Sequence, residues 1–106
     1  MKKIYISLPI TGNEDTYKQR LDAAVEYVKE NFTEYEVIIT PEDVAKHLED
    51  MYFPLVPEYK DYLASDIIKL TVCDAIFMCR GWNESKGCLA EHAFAEAIGL
   101  EILYLP

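Results

Sequence analysis

The stretch that decides the fold is residues 74–105, DAIFMCRGWNESKGCLAEHAFAEAIGLEILYL. Its first six residues, 74–79, predict a buried strand, because Asp74 is followed by an apolar run of five residues. Residues 85–98 then predict a helix that ends at Gly99, and residues 101–105 predict a second strand. Two strands joined by one helix make a unit in which the strands run parallel and the helix covers one face of the sheet.

The same alternation of strand and helix extends over the rest of the chain. Apolar spacing predicts strands at residues 3–7 and 35–40 and helices at residues 15–31 and 58–72. A short helix is expected to open at Pro41 with Thr40 as its N-cap, and the proline-broken segment 48–57 is predicted to be a loop. The sequence therefore predicts a single α/β domain over residues 1–106, a small doubly wound, flavodoxin-like parallel sheet with helices on both faces.

Charge excludes two classes of partner. The chain carries 19 acidic and 10 basic residues, a net charge of −9, and its basic residues form no cluster beyond Lys2 and Lys3. Proteins that bind duplex nucleic acid or anionic membrane surfaces need clustered cations, so neither partner is expected. No apolar run reaches the roughly 18 residues of a membrane span, and the N-terminus lacks the features of a signal peptide, so a cytoplasmic location is expected.

The three cysteines predict no metal site. Cys73, Cys79 and Cys88 lack the Cys-x-x-C spacing of zinc sites and redox pairs. We interpret them as small buried side chains in a reducing compartment.

In doubly wound sheets, ligands bind beyond the carboxyl ends of the strands. Three predicted loops, at residues 8–14, 40–57 and 80–87, should converge there. Two acidic residues near this edge border apolar helix faces. His92 and Glu96 share a stripe expected to face solvent, whereas Glu91 has apolar helical neighbours. Burying a carboxylate without compensation costs free energy. Such a carboxylate therefore reaches water at the rim of the site, pairs with another group, or takes part in catalysis.

Asp66 borders an apolar helix face in the same way, while Asp74, at the start of a strand, is interpreted as structural. Ser85 is a good N-cap, and the start of its helix also suits an oxyanion. Tyr5 is a packed ring or a functional hydroxyl on the first strand. Trp82 either stacks on a base or sugar or covers the sheet edge.

Three segments together resemble the nucleoside 2-deoxyribosyltransferase superfamily, which includes the 2′-deoxynucleoside 5′-monophosphate N-glycosidases. They are KIYISLPITG at residues 3–12, DIIKLTVCDAIF at residues 66–77 and GWNESKGCLAE at residues 81–91. The G-W-x-x-S-x-G-x-x-x-E signature in the third segment is most similar to a short branch of bacterial and phage proteins.

The resemblance implies cleavage or transfer of an N-glycosidic bond. By that resemblance, Glu91 matches the catalytic nucleophile, Asp66 the acid that orients the sugar and handles the leaving base, and Tyr5 the hydroxyl that steadies the glutamate. Substrate contacts are implied for Ser7, Gly12, Trp82, Ser85 and Gly87. The resemblance also implies a small-molecule nucleoside or nucleotide as substrate, no metal or organic cofactor, and a homo-oligomer, for which the apolar segment 51–56 is a candidate contact surface.

The chain departs from the N-glycosidases in its first loop. Residues 8–12, Leu-Pro-Ile-Thr-Gly, lack the serine and arginine that hold the 5′-phosphate in that branch, so Arg80 or Lys86 would have to replace them. The base, the phosphorylation of the sugar, and the choice between hydrolysis and transfer stay open. The alternatives are a non-catalytic nucleotide-binding or sensing module on the same fold and an assembly protein without a ligand.

Overall fold

The computed structural model describes residues 1–10, 12 and 14–106, and within them strands and helices alternate. The strands are β1 (Lys2–Ser7), β2 (Tyr35–Ile39), β3 (Ala75–Met78) and β4 (Glu101–Tyr104). The helices are α1 (Tyr17–Asn31), α2 (Pro41–Tyr52), α3 (Tyr59–Leu70) and α4 (Lys86–Ile98). A short 3-10 turn, Trp82–Glu84, precedes α4. Thr11 and Asn13 of the predicted first loop lie outside the described residues.

The strands form one parallel sheet in the order β2-β1-β3-β4, with β1 in an inner position. Side chains of β1 alternate between two apolar clusters. Ile4 and Ile6 pack with α1 on one face, and Tyr5 packs with residues of α3 and α4 on the other. Helices therefore cover both faces, and the predicted doubly wound α/β fold is confirmed.

Helix α2 is longer than the sequence predicted. A loop was expected from residue 48, but the helix continues through Tyr52, so that part of the prediction is wrong. The helix starts at a capping box in which Thr40 Oγ1 accepts from the Asp43 amide at 3.2 Å and Asp43 Oδ2 accepts from the Thr40 amide at 3.2 Å. Leu48 is buried, and no helix breaker precedes Pro54, so the pattern continues to that proline.

The loops beyond the carboxyl ends of β1 and β3 are tied together by one side chain of α1. The Arg20 guanidinium donates to the carbonyls of Pro9 and Arg80, each at 3.2 Å. Gly81, with φ +86°, supplies the left-handed turn after β3. Both loops are thus fixed at the edge where a ligand is expected. Among the described helices, none has the combined length and apolar character needed to cross a membrane.

The capping box gives a direct test of why α2 forms where it does. We expect Thr40→Ala to lower the free energy of unfolding by about 1 kcal/mol, because the Asp43 amide loses its acceptor. Chemical denaturation measures this. Thr33→Ala, at an exposed turn position, is the control and should change the value by less than about 0.5 kcal/mol. Equal effects of the two substitutions would contradict the role given to the cap.

Candidate active site

A cavity of about 840 Å³ opens beyond the carboxyl ends of β1 and β3. The three loop regions expected to converge there all contribute to its wall, through Pro9 and Ile10, through Pro41, and through Gly81 to Gly87. Helix α3 closes another side, with Tyr59, Tyr62 and Leu63 forming a largely apolar wall. The cavity is therefore more apolar than polar, as ligand pockets for small molecules commonly are.

Glu91 lies at the base of this cavity and is 5% exposed. Its two carboxylate oxygens accept from two hydroxyls of β1. The Tyr5 hydroxyl donates to Oε2 at 3.0 Å and the Ser7 hydroxyl donates to Oε1 at 2.7 Å. Tyr5 and Ser7 are two residues apart on one strand, so both point to the face that α4 covers. The head group is paired inside the protein and does not reach water at the rim.

Asp66 projects from α3 toward the same carboxylate. Burial, then the charge of Glu91 and a hydrogen bond with it, raises the pKa of Asp66 to about 8. Burial also raises the pKa of Glu91, while hydrogen bonds from Ser7, Tyr5 and Asp66 lower it again. The two carboxyl groups therefore titrate as a coupled pair, and the pair holds a proton near neutral pH.

The other titratable groups around Glu91 stay neutral. Burial, followed by the charges of Glu91 and Asp66, raises the pKa of Tyr5 well above its usual value, so its hydroxyl keeps the proton it donates. Burial likewise raises the pKa of Cys88, a thiol that lines the cavity beside Ser7. The charged centre of the site is thus the Glu91 carboxylate.

Ser85 and Gly87 lie at the polar side of the cavity, as the sequence suggested. Ser85 Oγ accepts from the Cys88 amide at 3.3 Å and so caps α4, and Ser85 also lines the cavity. Gly87 allows a close approach, because a Cβ there would lie 3.2 Å from the Tyr59 hydroxyl. Lys86 lines the cavity beside them. Arg80 does not, since its guanidinium donates to the carbonyl of Pro106.

Arg20 is a cation of the cavity wall that sequence reasoning missed. It comes from α1, on the opposite face of the sheet from α3 and α4, and reaches the cavity over the edge of the two loops it ties together. Its position, five residues after the start of the predicted helix at residue 15, gives no warning, because surface helices carry many cations. The sequence did offer one indication, because Arg20 lies near the end of the helix that faces the carboxyl edge of the sheet, where ligands bind.

Trp82 lies beside the cavity wall. Its indole stacks on the His92 ring, with centroids 4.4 Å apart, and lies 5.8 Å from the Tyr104 ring. Of the two readings left open, the geometry matches a ring that covers the β4 edge. The expectation that His92 faces solvent beside Glu96 is wrong, because His92 is half-buried and its Nε2 lies 2.8 Å from the Tyr104 hydroxyl.

Three other predicted residues also lie outside the cavity wall. Ser7 has no exposed surface and reaches Glu91 from beneath. Gly12 is exposed, with φ +84°. Asp74 Oδ2 accepts from the Lys3 amide at 2.8 Å, which is the structural role expected for it. Within the described part of the chain, no group of three or more His, Cys, Asp or Glu side chains is arranged to hold a metal ion.

Fold and cavity together define a small α/β protein in which a buried glutamate and a half-buried aspartate form a carboxyl pair at the carboxyl edge of a parallel sheet. Residues 2–104 match the family described as "Domain of unknown function (DUF4406)", and the chain belongs to that family. A search of curated proteins finds no match.

One solved structure with the same fold is titled "2-desoxiribosyltransferase from Leishmania mexicana". It is similar to this chain with a TM-score of 0.66 and 20% sequence identity, over 99% of this chain and 64% of that chain. The chain therefore spans less than two thirds of the length of that protein, and the similarity concerns the fold.

The buried carboxyl pair makes stability depend on pH. Asp66 and Glu91 hold their protons more tightly in the folded protein than in the unfolded chain. Between about pH 4 and about pH 8 the folded state therefore binds more protons, so raising the pH across this window lowers the free energy of unfolding. We expect Asp66→Asn to flatten this decline. Denaturation at several pH values measures it, with Asp22→Asn on the exposed side of α1 as control, and an unchanged slope in Asp66→Asn would contradict the prediction.

Proposed function

We propose that this protein cleaves or transfers the N-glycosidic bond of a 2′-deoxynucleoside or its 5′-monophosphate, with Glu91 as nucleophile. The observation that carries the proposal is the Glu91 carboxylate, buried at the base of a cavity, held by two hydroxyls and paired with Asp66. The fold shared with a structure titled as a 2-desoxiribosyltransferase supports it. The motifs quoted above, which resemble that superfamily, support it as well.

The proposed reaction divides the chemistry between the two carboxyl groups. A Glu91 oxygen attacks C1′ as the C1′–N bond breaks, through an oxocarbenium-like transition state, and a glycosyl-enzyme results. The electron pair of the broken bond goes to the base nitrogen. Asp66, whose raised pKa leaves it protonated, gives its proton to the departing base. Water or a second base then takes the sugar and releases Glu91.

The two halves of the cavity suit the two halves of such a substrate. Tyr59, Tyr62 and Leu63 offer an apolar and aromatic wall against which a base can stack. Arg20 and Lys86 are cations that line the same cavity, where a 5′-phosphate would be neutralised. For a phosphorylated substrate we therefore assign the role of the missing loop arginine to these two residues and not to Arg80.

Turnover assays test the proposed function. The protein is incubated with deoxynucleosides and deoxynucleoside monophosphates, with and without an acceptor base, and free base is followed by chromatography. We expect Glu91→Gln to reduce base release by at least about 1,000-fold and Asp66→Asn by about 100-fold, because one removes the nucleophile and the other the proton donor. Wild-type release should fall above about pH 8, as Asp66 loses its proton. Glu96→Gln, on the exposed side of α4, is the matched control and should keep wild-type activity.

The same experiment separates the alternatives. New nucleosides that form only with an acceptor base identify a transferase, and base release without an acceptor identifies a hydrolase. A ligand that raises the melting temperature of both wild type and Glu91→Gln, with no turnover in either, would contradict the enzyme and favour a nucleotide-binding or sensing module.

We also propose that two copies associate through the segment of residues 51–56. The side chains of this segment are apolar and highly exposed. The exposed fraction is 82% at Phe53 and Val56 and 74% at Leu55. The segment carries no charge in a chain with a net charge of −9, so two copies can meet there without bringing acids together. The three free cysteines are buried, which supports a reducing compartment such as the cytoplasm.

Light scattering after size exclusion tests the association. We expect the wild-type mass to exceed that of one chain at tens of micromolar, and Leu55→Glu to shift it to the monomer, because a charge would be buried at the contact. Gln19→Glu adds the same charge at an exposed position of α1 and should leave the mass unchanged. A monomeric wild type, or equal behaviour of the two variants, would contradict this contact.

A further inference from the structure

We propose that Ser7 is a positioning residue that holds Oε1 of Glu91 throughout turnover and speeds the release of the sugar from that glutamate. This inference rests on the proposed function and extends it to a residue beneath the cavity. The motif comparison placed Ser7 among the substrate contacts. The geometry instead points to a role through Glu91.

The position of Ser7 fits a positioning role. Ser7 and Tyr5 both have no exposed surface, but Tyr5 and Glu91 line the cavity and Ser7 does not. Its backbone belongs to the sheet, because it pairs with Met78 and its carbonyl accepts from the Cys79 amide at 3.0 Å. The hydroxyl therefore sits on a rigid element, 2.7 Å from Oε1.

The two oxygens of Glu91 consequently face different surroundings. Oε2 accepts from Tyr5, which lines the cavity, and Oε1 accepts from the buried Ser7. We assign Oε2 as the oxygen that bonds to C1′ and Oε1 as the oxygen that becomes the ester carbonyl. Because the hydroxyls serve different oxygens, Tyr5 cannot take over the hydrogen bond that Ser7 makes.

The effect of Ser7 on sugar release follows from a comparison of the two steps of the proposed reaction. In the first, the Oε2–C1′ bond forms, the C1′–N bond breaks with its pair on the base, and the Asp66 proton goes to the base. In the second, the oxygen of water bonds to C1′, one water proton goes to Asp66, and the C1′–Oε2 pair returns to Glu91. A hydroxyl binds a carboxylate more strongly than an ester carbonyl, so Ser7 favours the second step.

The same hydrogen bond keeps Glu91 ionised, since a donor to the charged form lowers the pKa. The titratable groups that face Glu91 are Tyr5 on β1, Asp66 on α3 and Cys88 on α4 itself. Arg20 is a cation in the wall of the same cavity. These groups remain in place when Ser7 is changed, so a shift in the titration of Glu91 reports on the Ser7 hydroxyl.

The experiment compares Ser7→Ala, which removes the donor, with Ser7→Cys, which keeps a weak one. Ile6→Val is the matched control, because it trims the neighbouring buried residue of β1 on the opposite face of the sheet. The carboxyl carbon of Glu91 is titrated by NMR, with Glu91→Gln used to assign its signal. Rapid mixing then follows free base, and intact-protein mass follows the glycosyl-enzyme.

We expect Ser7→Ala to raise the pKa of Glu91 and move the acidic limb of the rate profile to higher pH. Its steady-state rate should fall about tenfold, with a burst of free base and protein carrying one sugar, because the second step slows. Ser7→Cys should lie between Ser7→Ala and wild type. Ile6→Val should titrate as wild type and show no burst.

Two results would overturn the inference. If Ser7→Ala titrates as wild type, Ser7 does not hold the carboxylate. If the sugar-bearing protein accumulates no more than in Ile6→Val, Ser7 does not act on the second step. A wild type that turns over no substrate would overturn the proposed function and the kinetic role together, and the NMR titration would still decide the contact with Glu91.

Discussion

The site depends on the burial of one carboxylate, that of Glu91. An ionised group at 5% exposure is unstable unless the surrounding structure supplies compensation, and here the compensation comes from three different elements. Strand β1 gives two hydroxyls, α3 gives the Asp66 carboxyl, whose pKa is raised, and α4 places the carboxylate within two turns of its own N-terminus. The packing of both helices on the sheet is therefore part of the chemistry of the site.

The side chains of β1 alternate between the two faces of the sheet, and this alternation connects the apolar core to the site. Ile4 and Ile6 face α1, while Tyr5 and Ser7 face α4, so one strand supplies both a buried apolar surface and the two donors. A shift of one residue would exchange the two faces and place hydroxyls in the apolar cluster. The pairing of β1 with two neighbours fixes that register, which is why an inner strand can hold the two hydroxyl donors in place.

Much of this arrangement could be predicted from the sequence, because it follows from local patterns. Strand and helix periods predicted the sheet, and the apolar neighbours of Glu91 and Asp66 marked both acids as unusual. The sequence did not predict Arg20, which reaches the cavity by crossing the sheet edge, or the stacking of Trp82 on His92. Those contacts join different elements of the fold, so no local pattern in the sequence reports them. The extension of α2 to Tyr52 was missed because apolar residues near prolines were interpreted as a loop, although the break comes only at Pro54.

The acidity of the chain bears on how such a cavity would discriminate between substrates. A net charge of −9 repels a dianionic nucleotide at a distance, whereas a neutral nucleoside approaches without that opposition. The repulsion is screened over about 8 Å at physiological ionic strength, while a cation that contacts the ligand directly is screened far less. Arg20 and Lys86 in the cavity wall can therefore outweigh the overall charge at contact. In the proposed reaction, selection between nucleoside and nucleotide would thus be set by those two side chains and not by the acidity of the protein as a whole.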